Sequence, residues 1–450
     1  MSVSPPLSQQ LAWAARAVQA VEQGRSLTDA LLQVPGPLRP GVQALAFHAL
    51  RHWGQARALA EALAQRPPEP KVRALLGVAL TLLLPDARQS DNVRYEAHTV
   101  VDQAVQALAQ WRVPAATAGF LNACLRRFLR EQAALLERVL TDLEARWNHP
   151  FWWVQRVRRD HPQHWQALLQ ANNQPAPMVL RVNRRQVARA DYLSGLLAAG
   201  IEAWPVGDDG IELLQAQPVE RLPGWSDGQV SVQDGAAQCA APLLLDGASL
   251  PAGARVLDAC AAPGGKTAHL LECADLAVLA LDVDAQRCER IHENLRRLRL
   301  SAEVKAADAA STHDWWDGRP FDAILLDAPC TASGIVRRHP DVRWLRRPED
   351  VTQLALQQER LLQALWPLLK PGGRLLYCTC SVFKAEGDGQ MQAFLARHTD
   401  ACLLPAPGHM LTGQMLHENH MAQAPAAMRD NRSRGTDGFF YALLHKLPAA

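Results

Sequence analysis

Three short runs in this 450-residue chain carry side chains able to do chemistry. The first is Asp258-Ala259-Cys260-Ala261-Ala262-Pro263-Gly264-Gly265-Lys266-Thr267, which follows an apolar, strand-like stretch. Its two adjacent glycines let the backbone come close to a ligand at a strand-to-helix turn. The other two are Asp327-Ala328-Pro329-Cys330-Thr331 and Tyr377-Cys378-Thr379-Cys380-Ser381, each closing an apolar run. The thiolate of Cys is a soft nucleophile suited to covalent catalysis. A single strand-end Cys is usually packing; two at equivalent positions, Cys330 and Cys380, point to chemistry. Cys378, Cys124, Cys239, Cys273, Cys288 and Cys402 read as core, and Cys260 as a backbone contributor to its loop.

Leu281-Asp282-Val283-Asp284 closes a further strand, where an acidic residue commonly binds ribose hydroxyls. Asp282 is the better candidate, and Asp284 lies past the strand end. Asp308 closes the next strand, where it can meet an adenine edge. The glycine turn is neither a GxGxxG fingerprint nor a Walker loop, since its GKT lacks the upstream glycine spacing. That disfavours a nicotinamide-dependent dehydrogenase. A nucleoside cofactor without a pyrophosphate is expected, and S-adenosylmethionine fits better than NAD.

These runs need a scaffold. Residues 236–450 alternate strands and helices, with strands expected at Ala254–Ala259, Ala277–Val283, Glu303–Ala306, Phe321–Asp327 and Gly373–Cys378. The rhythm implies an α/β, doubly wound, largely parallel Rossmann-like sheet, whose ligands lie at the carboxyl ends of the strands. Residues 146–235 suggest a small α+β module, with a strand at Met178–Asn183, a helix near Arg189–Ala199 and a strand at Val230–Asp234. Residues 1–145 show helical periodicity only, as in Leu11, Ala14, Ala15, Val18 and Val21. Pro114 suits a helix start. Residues 403–434, rich in Pro, Met, His and Asn, suggest a loop, and Asp437–Ala442 a closing strand. At about 150 residues per domain the length agrees with three domains.

Composition narrows the setting. Hydrophobic residues make up 48%, which excludes wholesale disorder. The nine Cys contain no CxxC and no zinc-ligand spacing, so no metal site is expected. Met1–Gln10 has neither charge nor an apolar core, and the longest apolar stretch, Ala74–Leu84, is too short for a bilayer. A reduced cytoplasmic location without membrane contact is expected. Net charge is only +2, yet Arg supplies 41 of the 47 basic residues. Genome bias explains much of that ratio. Position does more: Arg337, Arg338, Arg343, Arg346 and Arg347 crowd into one stretch after Cys330, which suggests contact with RNA phosphates. Arg126 and Arg127 offer a second, weaker edge.

The motifs DACAAPGGKT, LDVD, LDAPC and TCS together resemble those of the RNA 5-methylcytosine methyltransferases of the NOP/SUN superfamily. The run Ser333–Trp344 follows the same pattern, and the likeness is strongest to the branch acting on 16S ribosomal RNA. GFLNACLRRFLR resembles a NusB-like helical RNA-binding domain, and HPFWWVQRVRRD with VSVQDGAAQ the family's small RRM-like module. The resemblance implies S-adenosylmethionine as cofactor, 16S rRNA as partner and a monomer. It implies that Cys380 is the nucleophile, that Cys330 assists elimination, and that Asp327 contacts or protonates cytosine N3. It carries over Cys260, Ala261, Ala262, Pro263, Gly264, Gly265, Lys266, Asp282, Asp308 and Asp327 to the cofactor, while Lys266 is open between steadying the loop and holding a substrate phosphate. The chemistry agrees: cytosine C5 is a poor nucleophile until a thiolate adds at C6, and the target base must leave its stack. One departure stands out. The family's Glu-Glu-Asn run after TCS reads Lys384-Ala385-Glu386-Gly387-Asp388 in this chain, which puts one acidic contact in question. The alternative is a non-catalytic NusB-like RNA-binding factor, against which the intact Cys330, Cys380 and Asp327 argue.

Overall fold

The computed structural model describes residues 5–64, 66–85, 95–111, 113–248, 250–414 and 435–448. Its contacts divide the chain into two compact units, Met1–Pro175 with Val336–Pro348, and Ala176–Ile335 with Glu349–Ala450.

The second unit contains two sheets. The small one has β1 (Met178–Val182), β2 (Ala203–Val206), β3 (Gly210–Leu213) and β4 (Val230–Val232) in the order β2-β3-β1-β4, paired antiparallel. The large one has β5 (Ala254–Ala259), β6 (Leu276–Asp282), β7 (Glu303–Ala306), β8 (Phe321–Asp327), β9 (Leu369–Thr379), β10 (Ala401–Met410) and β11 (Phe439–Lys446). Its order is β10-β11-β9-β8-β5-β6-β7; β5 to β9 run parallel, while β11 and β10 pair antiparallel at one edge. The central strands read as continuous apolar runs because both faces are covered. Val256, Leu257, Ile324, Leu325 and Leu326 are all fully buried. Two apolar clusters result, one on each face of the sheet.

From β5 the chain steps outward through β6 and β7, then returns to β8 on the other side of β5. The order therefore reverses between β5 and β8, which is where ligands bind in such sheets. The loop after β5 and the carboxyl end of β8 flank that point.

Local signals explain the flanking helices. Ala285–Leu298 buries Cys288, Ile291, Leu295 and Leu298, one stripe at helical spacing. Asp284 caps it, its side chain accepting from the backbone N–H of Gln286 and Arg287, and Arg299 closes it at φ 57°. Arg181 of β1 is fully buried; its guanidinium grips both carboxylate oxygens of Glu272 at 2.8 Å and donates to Gly265 O at 2.8 Å. The small sheet is thereby tied to the helix Gly265–Cys273 that follows the glycine turn.

The structure differs from expectation in two places. Residues 401–410 form β10, not a loop; Pro405, Pro407 and Gly408 masked the signal, and an edge strand with a shift in register between Leu404 and Gly408 tolerates them. Residues 415–434 lie outside the described residues. β9 extends to Leu369–Thr379, and the expected closing strand is found at Phe439–Lys446.

The first unit is helical from Leu7–Glu22 to Trp165–Asn172. Leu11, Ala14, Ala15, Val18 and Val21 face its core, as the periodicity predicts, and the helix Ala115–Val139 starts directly after Pro114. Trp344 and Leu345 of the segment Val336–Pro348 pack on this core. No helix among the described residues is long and apolar enough to cross a membrane.

Candidate active site

The glycine turn is held by specific geometry. Cys260 and Gly264 adopt positive φ, 63° and 92°. A Cβ added at Gly264 would lie 3.0 Å from Ile291 Cγ2 and 3.2 Å from its Cα. Asp282, at the end of β6, is buried; it accepts from the backbone N–H of Ala262 and of Asp284, each at 3.1 Å, and pairs with Arg287 at 3.3 Å. Asp282 thus organises the loop. Asp308, after β7, accepts from Ala310 N–H and is paired with Arg360 at 2.5 Å. A turn in which Gly264 takes a positive φ and packs closely on Ile291, flanked by acceptors on the next two strand ends, fits S-adenosylmethionine.

At the first strand end, Asp258 is completely buried. Burial pushes its carboxyl up to about 7, although the Thr267 hydroxyl donates to Oδ2 at 2.5 Å. Its Oδ1 has no partner.

The parallel pairing of β8 with β9 sets Asp327 opposite Cys378, so both Cys-bearing loops leave the sheet side by side. Cys330 Sγ lies 3.3 Å from Cys380 Sγ. Cys330 is buried and Cys380 is half-buried. The hydrogen bond to Cys380, burial and the charge of Glu386 push the Cys330 thiol well above the usual range. Either thiol can donate to the other across this contact. Cys378, in the core, donates to Asp327 Oδ1 at 3.4 Å. Burial raises that thiol too.

Lys266 settles against Asp327, Nζ to Oδ2 2.6 Å. Burial disfavours its ammonium, but the Asp327 carboxylate together with the Cys378 and Cys380 sulfurs outweighs that and raises it above the usual lysine range. Lys266 also lies 5.2 Å from the centre of the Phe439 ring. Lys266 thereby joins the glycine turn to the carboxylate at the end of β8.

Glu386 is the residue that sequence reasoning undervalued. It is fully buried. Oε1 accepts from Thr331 N–H at 2.8 Å and Gln358 Nε2 at 3.2 Å; Oε2 accepts from Thr331 Oγ1 at 2.5 Å and Ser381 Oγ at 2.6 Å. The shifted Glu-containing run therefore does provide a buried acidic contact. The available signal was its spacing, five residues after Ser381.

The arginines divide. The run Arg337–Arg347 is not one exposed basic face, which corrects the sequence expectation. Arg337 and Arg343 are buried. Arg343 donates to Asn148 O at 3.2 Å, Asn172 O at 2.7 Å and Asn173 Oδ1 at 2.5 Å, so its guanidinium is committed to the helical unit. Arg338 and Arg346 are half-buried and Arg347 is exposed. Arg126 is exposed and donates to Asn122 at 3.0 Å, and Arg127 pairs with Glu131 at 2.9 Å.

Residues 249–445 match the family model described as 16S rRNA methyltransferase RsmB/F, and residues 149–220 that of the ferredoxin-like domain of RsmF/B-like methyltransferases. The ribosomal RNA small subunit methyltransferase B of Serratia proteamaculans (strain 568) is 40% identical over 95% of this chain and 96% of its own length. The protein of that name from Pseudomonas putida is 43% identical over 97% of this chain and 98% of its own. The crystal structure of PH0851 shares the fold, with a TM-score of 0.73, 24% identity and coverage of 99% of this chain and 100% of that one. With likeness of this extent across the whole chain, the protein belongs to the RsmB/F family of 16S rRNA methyltransferases, enzymes that draw their methyl group from S-adenosylmethionine.

Proposed function

We propose that this protein methylates C5 of a cytosine in 16S rRNA, with Cys380 as nucleophile. The observation that carries the proposal is the thiol pair, Cys330 and Cys380 with sulfurs 3.3 Å apart, beside the Lys266–Asp327 ion pair. Bound S-adenosylmethionine supplies an electrophilic methyl group; the turn Cys260–Lys266, Asp282, Asp308 and Asp327 would hold it.

The chain's own groups account for the remaining steps. The Cys380 thiolate adds to C6 of a flipped cytosine, forming a C6–S bond and pushing the electron pair toward C5. Asp327 faces N3, and the Lys266 ammonium steadies the charge shared across that carboxylate and the ring. Once C5 is methylated, the C5 proton must leave and the C6–S bond must break. Cys330 passes its proton to the departing Cys380 sulfur, and its own sulfur then takes the C5 proton. Cys330 then carries a proton again, and Cys380 releases its own to solvent to regenerate the thiolate, the one proton that replacing C5–H by C5–CH3 must shed. A thiol that holds its proton tightly suits this role, because its thiolate is a strong base.

The helical unit, NusB-like in its GFLNACLRRFLR segment, docks the rRNA with Arg126, Arg127, Arg338, Arg346 and Arg347 as candidate phosphate contacts. A non-catalytic RNA-binding role gains no support, since it leaves the paired thiols without a purpose. Bisulfite sequencing of 16S rRNA from a strain lacking this gene tests the proposal. One 5-methylcytosine should vanish and return with the wild-type gene; persistence of every such position overturns the substrate assignment.

A further inference from the structure

The two cysteine loops come from different strands and meet directly where Gly334 N–H donates to Cys380 O and Val382 N–H to Ser333 Oγ, each at 2.9 Å. Glu386 adds a buried carboxylate that binds the residue next to each cysteine. Its carboxylate takes four hydrogen bonds, three of them from Thr331 and Ser381. Thr331 directly follows Cys330, and Ser381 directly follows Cys380. The fourth donor, Gln358 Nε2, also bonds Pro329 O at 2.9 Å, on the other side of Cys330. Ser381 Oγ in turn meets Ser333 Oγ at 2.8 Å, and Tyr377 OH donates to Glu386 O at 2.8 Å. A carboxylate has about four lone-pair sites, so every acceptor position of the ionised group is in use.

We propose that Glu386 is a positioning residue, a buried carboxylate clamp that holds the Cys330 and Cys380 loops in the one register at which both sulfurs reach the same base. The proposal rests on the C5-methylation reading above. The arrangement is costly for Glu386: burial raises its carboxyl, and only the donors around it offset that. Such a buried charge is a poor way to stabilise a loop, for which an apolar contact would serve. It is a good way to fix two loops by direction as well as distance. Its charge is also among the causes that keep Cys330 protonated, so clamp and proton inventory are linked.

Glu386→Gln keeps the size but turns one acceptor oxygen into a donor facing donors. Single-turnover methyl transfer should fall about 100-fold, the cost of misplacing a reacting group by an ångström or so, while the dissociation constant for S-adenosylmethionine stays within about twofold. A share of the RNA should remain covalently attached on a denaturing gel, because Cys330 no longer meets the adduct. Ser381→Ala and Thr331→Val each cut one arm and keep the fold if Glu386→Gln does not. Each should slow methyl transfer about tenfold, and the double variant should lose less than the product of the two. A parallel readout needs no RNA: iodoacetamide labelling of Cys330 and Cys380, located by peptide mass spectrometry. Glu386→Gln should change the ratio of the two labelling rates. Wild-type labelling and wild-type turnover in Glu386→Gln, or in both single-arm variants if it fails to fold, would overturn the clamp. Absence of any 5-methylcytosine product from the wild-type enzyme would instead overturn the underlying reading, and the labelling ratio would still decide the clamp.

Discussion

Cys330 Sγ stands 3.3 Å from Cys380 Sγ although 50 positions separate them in the chain. The pairing of β8 with β9 brings this about, since Asp327 and Cys378 are neighbours in register and each Cys lies a few residues beyond. The two sulfurs differ in surroundings, one buried and one half-buried, and so in expected roles. Cys380→Ser should lower methyl transfer by at least about 10⁴-fold, the scale seen when a covalent nucleophile is removed. Cys330→Ser should still form the C6 adduct but release it slowly, so protein–RNA complex accumulates on denaturing gels. Equal, adduct-free loss in both variants would contradict the division of labour.

Gly264 sits at φ 92° with Ile291 close to where a Cβ would go. Gly264→Ala should destabilise the second unit by about 1–3 kcal/mol and weaken S-adenosylmethionine binding at least tenfold by calorimetry. Unchanged binding would remove the turn from the cofactor site.

Asp258 gives a pH signature. Its folded-state carboxyl is raised to about 7 by burial. A raised carboxyl holds a proton in the folded state that the unfolded chain releases, so its stabilising contribution is complete below about pH 4 and is lost as pH rises toward 7. Asp258→Asn keeps the shape and removes the titration. Its melting temperature should fall less between pH 5 and pH 8 than that of the wild type. Parallel profiles would show that Asp258 does not titrate in this window.

Much of the catalytic unit was legible in the sequence. The βαβ rhythm and the apolar runs ending at Asp258, Asp282 and Asp327 mark strand ends because parallel strands buried on both faces leave polar residues only at their tips. What escaped depended on distant partners. Glu386 looked like a misplaced member of a motif, since nothing local shows that Thr331 and Gln358 supply its donors. Arg343 looked like its exposed neighbours, because a buried guanidinium is recognised only by the carbonyls that receive it. β10 was hidden by two prolines and a glycine that an edge strand accommodates.

The arginines should therefore separate experimentally. Arg343→Ala leaves Asn148 O and Asn172 O without their buried donor, which should cost about 2–4 kcal/mol of stability. Arg347→Ala, at an exposed position, should lower the melting temperature far less than Arg343→Ala, weaken RNA binding and lower the salt-dependence slope by about 0.7–0.9. The reverse pattern would make the buried residue the phosphate contact.

The central claim is that the sulfur of Cys380 bonds covalently to the target base. A 16S rRNA fragment carrying 5-fluorocytidine at the target traps such an adduct, because fluorine at C5 cannot leave as the proton does. After incubation with S-adenosylmethionine and nuclease digestion, mass spectrometry should find a methylated fluorocytidine on the peptide bearing Cys380 and none on that bearing Cys330. An adduct on Cys330, or none on either with methylation of ordinary RNA intact, would contradict the account.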